Sequence, residues 1–157
     1  MTPPDATERL LLMVRDAMPR RVAGAVDDAL VRALAQFFRF AVVGFSGFAV
    51  DTICVYALRA DLGLYGAGVV AWLVAVTSNW IINRVWTFRG QGEGSAHRQF
   101  LRYVLVNIVG FVLNLGAYAL MVTFVAAAAA EPILATAVGA VAGMFANFFL
   151  SRALVFR

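Results

Sequence analysis

One carboxylate, five amides and a hydroxyl stand where this chain is most apolar. They are Asp51, Asn79, Asn83, Asn107, Asn114, Asn147 and Ser151. These groups can hydrogen-bond, but in this pattern they cannot run a covalent reaction. Asp51 has no second carboxylate beside it for paired acid and base work. Cys54 is the single cysteine and reads as a small core residue, and His97 sits in a Gly/Ser-containing loop with no partner near it. There is no phosphate-cradling glycine loop, no dinucleotide turn and no cluster with metal-ligand spacing. The reading is therefore no enzyme, no cofactor and no metal. Uncharged polar groups inside a membrane either join helices, at about 0.6 kcal/mol per bond, or bind a polar cargo such as sugar hydroxyls. For Asp51 two readings stand side by side. It contacts cargo, carries a proton or restrains a gate, or it hydrogen-bonds Asn79 or another polar side chain to fix packing.

The elements that carry these residues follow from composition. Of 157 residues, 62% are hydrophobic and 14% are charged, with a mean hydropathy of +0.82. Four apolar stretches, roughly 38–58, 66–86, 102–124 and 132–152, are each long enough to cross a hydrocarbon core of about 30 Å as helix. Strands would show short alternating segments instead. The expected fold is an all-α membrane protein.

Two of the stretches repeat each other. Ala71, Ala75, Asn79 and Asn83 step by four into Arg84, Trp86 and Phe88, and Gly139, Gly143, Asn147 and Ser151 step by four into Arg152, Leu154 and Phe156. These second helices match at a shift of 68 residues. Phe37, Arg39, Phe40, Val43, Gly47 and Asp51 match Phe100, Arg102, Tyr103, Val106, Gly110 and Asn114 at a shift of 63. The larger second shift puts extra residues, Ala126–Ala130 and Pro132, in the second copy's outer loop. An even number of spans per copy makes this a parallel repeat, two helical hairpins over 37–89 and 100–157 related by an axis along the membrane normal. Gly44, Gly47, Gly110, Gly139 and Gly143 are expected to let helices pack closely. Asn107 and Asn114 share a face with Gly110 between them. With the other amides, Asp51 and Ser151, they would form a polar seam from the cytoplasmic edge to mid-membrane.

All 13 basic residues are Arg, and the net charge is +4. Their placement points to a bilayer and not to nucleic acid. Arg84, Arg89, Arg98 and Arg102 crowd the middle loop, six Arg precede the first span, and Arg152 and Arg157 close the last. The positive-inside rule puts both termini and the middle loop in the cytoplasm. Arg39, Arg84, Arg102 and Arg152 mark the cytoplasmic ends of the four spans. They read either as topology signals that snorkel to lipid phosphates or as a ring that captures an anionic head group through the two-pronged guanidinium. Trp86, Phe88 and Tyr103 beside them read as interfacial aromatics.

Residues 1–36 lack the features of a signal peptide. Leu11, Val14, Met18, Val22, Ala25, Ala29 and Ala33 recur at helical steps, which predicts an amphipathic cytoplasmic helix interrupted at Pro19; the competing reading is a partly ordered tail. Residues 90–97 form a flexible cytoplasmic linker between the copies.

The opening Phe37-Phe38-Arg39-Phe40-Ala41-Val42-Val43-Gly44, Asp51, and the run Asn79-Trp80-Ile81-Ile82-Asn83-Arg84-Val85-Trp86-Thr87-Phe88 together resemble the GtrA-like family. The resemblance covers residues 37–157, and Asn147 to Phe156 repeats the run in degenerate form. It implies a multi-pass protein of the bacterial inner membrane that moves a polyprenyl-phosphate-linked monosaccharide from the cytoplasmic to the outer leaflet for cell-surface polysaccharide synthesis. A membrane glycosyltransferase would make that lipid on the inner side. The Arg ring would take the phosphodiester and the seam the sugar. The competing functions are a scaffold that recruits or stabilises a glycosyltransferase, and a small-molecule exporter. Four helices enclose little space, so a homo-oligomer or a cargo path open to lipid is expected.

Overall fold

The computed structural model describes residues 4–19, 26–92 and 94–157. The described residues are helical with no strand. The order is α1 (Ala6–Asp16), α2 (Asp28–Ile82), a π turn (Asn83–Thr87), α3 (Ala96–Phe124), the short α4 (Ala126–Ala130), α5 (Pro132–Leu150) and a second π turn (Ser151–Val155). Helix starts are locally encoded. The carboxylates of Asp5 and Asp27 accept the backbone N–H of Glu8 and Leu30 at 2.9 and 2.7 Å, and Ser95 caps α3 through Arg98. Pro132 opens α5, where its missing N–H has no helical partner to lose.

Three helical segments are long and apolar enough to cross a membrane: Asp28–Thr87, Ala96–Phe124 and Pro132–Val155. The first is too long for one straight crossing, because α2 has 55 residues and a helix of that length would extend about 80 Å. It is broken at Gly63, whose φ of 67° and ψ of 172° are non-helical and essentially restricted to glycine. The break reverses the chain. Gly47 and Asn79, which would be about 48 Å apart in an unbroken helix, are in contact. In the second copy the reversal takes more residues: Val125 ends α3, five alanines form α4, and Glu131 precedes Pro132.

The best-packed core sits at the π-turn end. Phe40, Phe88, Tyr103, Phe148, Val155 and Phe156 are buried there together. Elsewhere the surface is apolar. Phe45, Phe48, Phe111 and Phe124 are all more exposed than buried, as expected for side chains that face lipid. The lone hydroxyls on these helices are satisfied within their own helix: Thr52, Thr77 and Thr123 donate to the carbonyl four residues back at 2.7–2.9 Å.

Repeat-equivalent contacts recur across the fold. Phe40 meets Phe88 edge-on at 6.2 Å, and Tyr103 meets Phe156 edge-on at 6.1 Å. Phe37 reaches across to Phe148 and Phe100 to Trp80, both at 5.2 Å. Both π turns close alike, with Phe88 N–H donating to Asn83 O at 2.8 Å and Phe156 N–H to Ser151 O at 3.0 Å. At the centre the mates Phe88 and Phe156 stack on each other, 4.4 Å apart and 8° from parallel.

Some expectations change. Phe88 and Tyr103 are not interfacial aromatics but core residues; only Trp86 is exposed. The interruption expected at Pro19 is present, since α1 ends at Asp16 and Pro19 lies beyond it, while Ala29 and Ala33 belong to α2, which begins at Asp28. Val22 and Ala25 lie outside the described residues. α1 is nonetheless tied to α2, with Arg15 Nη1 donating to Asp28 at 2.6 Å. The bonds to Asp28 and Asp16 raise the Arg15 pKa above its ordinary value.

Gly63→Ala is expected to lower unfolding stability by about 1–3 kcal/mol in a detergent titration, because alanine is strained at that φ. Gly68→Ala, on a helix with open space around it, is the control and should be neutral or slightly stabilising.

Candidate functional site: an asparagine-lined cavity

A cavity of about 570 Å³ lies between α2, α3 and α5, within the range of small-ligand sites. Its lining includes Asn79, Asn83, Asn107, Asn114 and Asn147, along with Phe40, Gly44, Trp72, Tyr103 and Met144. Both copies contribute. Along α3 the cavity runs from Tyr103 to Asn114, 11 residues and so about 16 Å. That is roughly half the depth of a hydrocarbon core. Tyr103 adjoins Arg102 and Asn83 adjoins Arg84 in sequence, so one end of the cavity opens near the arginine-rich side.

Each amide is held by a specific neighbour. Asn83 Nδ2 donates to the Tyr103 hydroxyl at 3.0 Å, a bond between copies. Asn107 Nδ2 donates to the Tyr103 carbonyl at 2.9 Å. Asn79 and Asn147 are repeat mates, and each presses its amide onto the mate glycine of its own copy, Gly47 and Gly110. Their Oδ1 atoms are buried without a hydrogen-bond partner among the described residues. The amide occupies the place a Cβ would take, where a glycine carries a Cα hydrogen. A weak Cα–H···O contact is the compensation that this geometry allows. Asn114 lies against the small-residue stripe of α5: a methyl group added at Gly139 would come 2.9 Å from its Oδ1.

Not every expected site residue joins this cavity. Asp51 is half-buried and does not line it. No hydrogen bond joins Asp51 to Asn79 among the described residues. Ser151 is fully buried, and its Oγ has no partner among the described residues. Its mate Asn83 reaches Tyr103, but Ser151 faces the copy that has Phe40 at the matching position, which offers no hydroxyl. Gly44 departs from the packing role expected of it: no atom lies within 4 Å of an added Cβ, and the residue opens on the cavity.

The four arginines do not line the cavity, and they differ from one another. Arg39 is buried and ion-paired to Asp5, which caps α1, and to Glu8 in its first turn. Arg84 Nη1 donates to Gln99 Oε1 at 2.5 Å and lies over Trp80 at 5.7 Å. Arg102 borders a separate groove of about 370 Å³ with Arg157. Arg152 is exposed.

Gln99 was not singled out by the sequence reasoning. It links the copies, accepting from Arg84 and donating to Val155 O at 3.4 Å. Its mate at the 63-residue shift is Gln36, also buried, whose Oε1 has no partner among the described residues. The repeat itself was the signal that could have found both.

Two variants test this geometry. Gly110→Ala drives a Cβ into Asn147 and should cost about 1–3 kcal/mol in detergent unfolding, as overpacking does. Adding Asn147→Ala should recover most of that loss in a double-mutant cycle. Tyr103→Phe makes the second copy resemble the first, and should cost about 0.6 kcal/mol and no more than about 1.7.

No curated protein matches the chain. Residues 39–156 match the family model described as the GtrA/DPMS transmembrane domain. Those residues hold the cavity, both π turns and the stacked Phe88 and Phe156, and the chain accordingly belongs to the GtrA/DPMS transmembrane-domain family.

Proposed function

We propose that the protein is a flippase for a polyprenyl-phosphate-linked monosaccharide and is not an enzyme. The membership supports a membrane protein of sugar-lipid translocase type. The observation that carries the finer reading is the cavity: five amides from both copies inside an otherwise apolar fold. Amides suit sugar hydroxyls because each offers donors and an acceptor without a fixed charge. The arginines beside one end suit the phosphodiester, and the exposed apolar surface leaves the isoprenoid in lipid.

In this reading α2 crosses twice, bending at Gly63, and α3 and α5 cross once each. These give four spans as two parallel hairpins, with both termini and the Arg-rich linker in the cytoplasm. The site is the inner membrane of a bacterium. A head group enters from inside, the sugar moves along the amides toward Asn114, and the phosphate stays near Arg39, Arg84, Arg102 and Arg152 until the crossing step. A membrane glycosyltransferase supplies the lipid. The cavity lies within one chain and is open on one side, which suits a cargo path open to lipid or one closed by a second copy.

Proteoliposomes with a fluorescent short-chain prenyl-phosphate sugar test the reading. The wild-type protein should speed transfer between leaflets over empty vesicles, and Asn107→Leu with Asn114→Leu should lower the rate by about tenfold or more, the equivalent of 1.4 kcal/mol of barrier. Transfer no faster than in empty vesicles rejects it. Full transfer by Asp51→Asn would rule out obligatory proton coupling through that side chain.

A further inference from the structure

We propose that α1 is a built-in competitor for an anion seat at Arg39, and that a phosphate-bearing ligand must displace its carboxylates to use that seat. The inference rests on the reading above, in which the arginines receive a phosphate.

Arg39 and Arg102 are mates at the 63-residue shift, yet their surroundings differ. Arg102 is exposed. It borders an open groove with Arg157 at its side and Leu105, Val109, Leu150 and Leu154 as an apolar bed. No carboxylate pairs with it among the described residues. Arg39 is buried, and its two terminal nitrogens are each taken by a carboxylate, Nη1 by Asp5 and Nη2 by Glu8. Two acceptor oxygens on the two prongs of a guanidinium is the arrangement that a phosphate would also satisfy. Asp5 and Glu8 belong to the segment before residue 39, outside the part matched to the family. This chain's own extension therefore fills, in one copy, a position left open in the other.

The hold of α1 on the rest of the fold is light. None of its residues is fully buried, though Leu11 and Leu12 are half-buried, and among the described residues its other ion pair with α2 is the exposed one of Arg15 with Asp28. An exposed pair such as Arg15 with Asp28 contributes little, and at Arg39 the carboxylates of Asp5 and Glu8 keep partial exposure, where the oxygens of a phosphate can compete for the guanidinium. The helix also has somewhere to go. Leu10, Met13 and Val14 are exposed at spacings of three and four, an apolar face that fits the bilayer interface.

The test uses the full chain in nanodiscs and citronellyl phosphate, with citronellol and inorganic phosphate as separate arms. Dissociation constants are compared for wild type, for Asp5→Asn with Glu8→Gln, and for the charge-matched control Asp61→Asn with Glu131→Gln. Asparagine still caps a helix, so α1 should survive the change at Asp5. The first pair should bind citronellyl phosphate roughly fivefold tighter, because the open seat becomes more populated. The control should match wild type, and citronellol should show no gain. Equal constants in all three proteins overturn the competition while leaving the phosphate reading intact; no binding in any of them overturns both. A gain for citronellyl phosphate alone assigns the seat to a lipid phosphate, and an equal gain for inorganic phosphate assigns it to the bare anion; either upholds competition. Hydrogen exchange gives a second readout on the wild-type chain. Amides of Ala6–Asp16 should exchange faster when citronellyl phosphate saturates the protein. Unchanged or slower exchange overturns the displacement.

Discussion

Phe88 and Phe156 lie face to face, 4.4 Å between ring centres and 8° from parallel. They are matching residues of the two copies, and such a meeting, with the reciprocal reaches of Phe37 and Phe100, is what an axis of approximate twofold symmetry between them produces. Much of the remaining architecture follows from this meeting. The π turns that precede the two rings must widen alike to deliver them. Phe37 and Phe100 must each reach over to the opposite copy. The lipid gives helices no hydrophobic reason to associate, so shape and short-range contacts decide. An aromatic pair contributes about 0.5–1.5 kcal/mol beyond the area it buries. A cluster of such pairs at one end is a reasonable anchor for helices that elsewhere touch through glycine and alanine.

The polar groups divide by how they can be satisfied. A threonine hydroxyl finds a carbonyl one turn back and asks nothing of its neighbours, as Thr52, Thr77 and Thr123 do. An amide is larger and has both kinds of group, so it needs another helix, a glycine surface or a ligand. The five asparagines therefore gather where helices meet, and the space they leave is the cavity. The same requirement explains the glycines at 47 and 110, which make room for an amide as much as for a helix.

The helical class and the duplication were legible because both leave a long signal: apolar runs of membrane length, and two fixed shifts of 63 and 68. The asparagines were legible as a set because polar residues stand out in such runs. What lay beyond the sequence was orientation about each helix axis. Asp51 and Asn114 are mates, yet only Asn114 lines the cavity. The depth of a residue along a helix can be counted, but the side on which it emerges depends on packing, here Ala71 and Ala75 in one copy against Gly139 and Gly143 in the other. Phe88 and Tyr103 were misplaced for a related reason. An aromatic beside arginines near a span end suits the interface equally well as a core that happens to sit at that end. The pairing of Arg39 with Asp5 and Glu8, 34 and 31 residues earlier, carries no local signal at all.

The two copies are alike in backbone and unlike in polarity. Asn83 with Tyr103 faces Ser151 with Phe40, Asn107 answers to Gly44, and Gln99 has its arginine while Gln36 does not. A perfectly twofold site would offer a chiral, unsymmetrical guest two poses of equal energy, related by a half-turn, and could not tell them apart. Divergence of the mates removes that degeneracy. In the proposed role, a sugar in this cavity would meet Asn107 and Asn114 of α3 on one side and the apolar Phe40, Ala41 and Phe45 of α2 on another. It is therefore handed one facing, and a duplicated scaffold acquires the handedness of a single binding site.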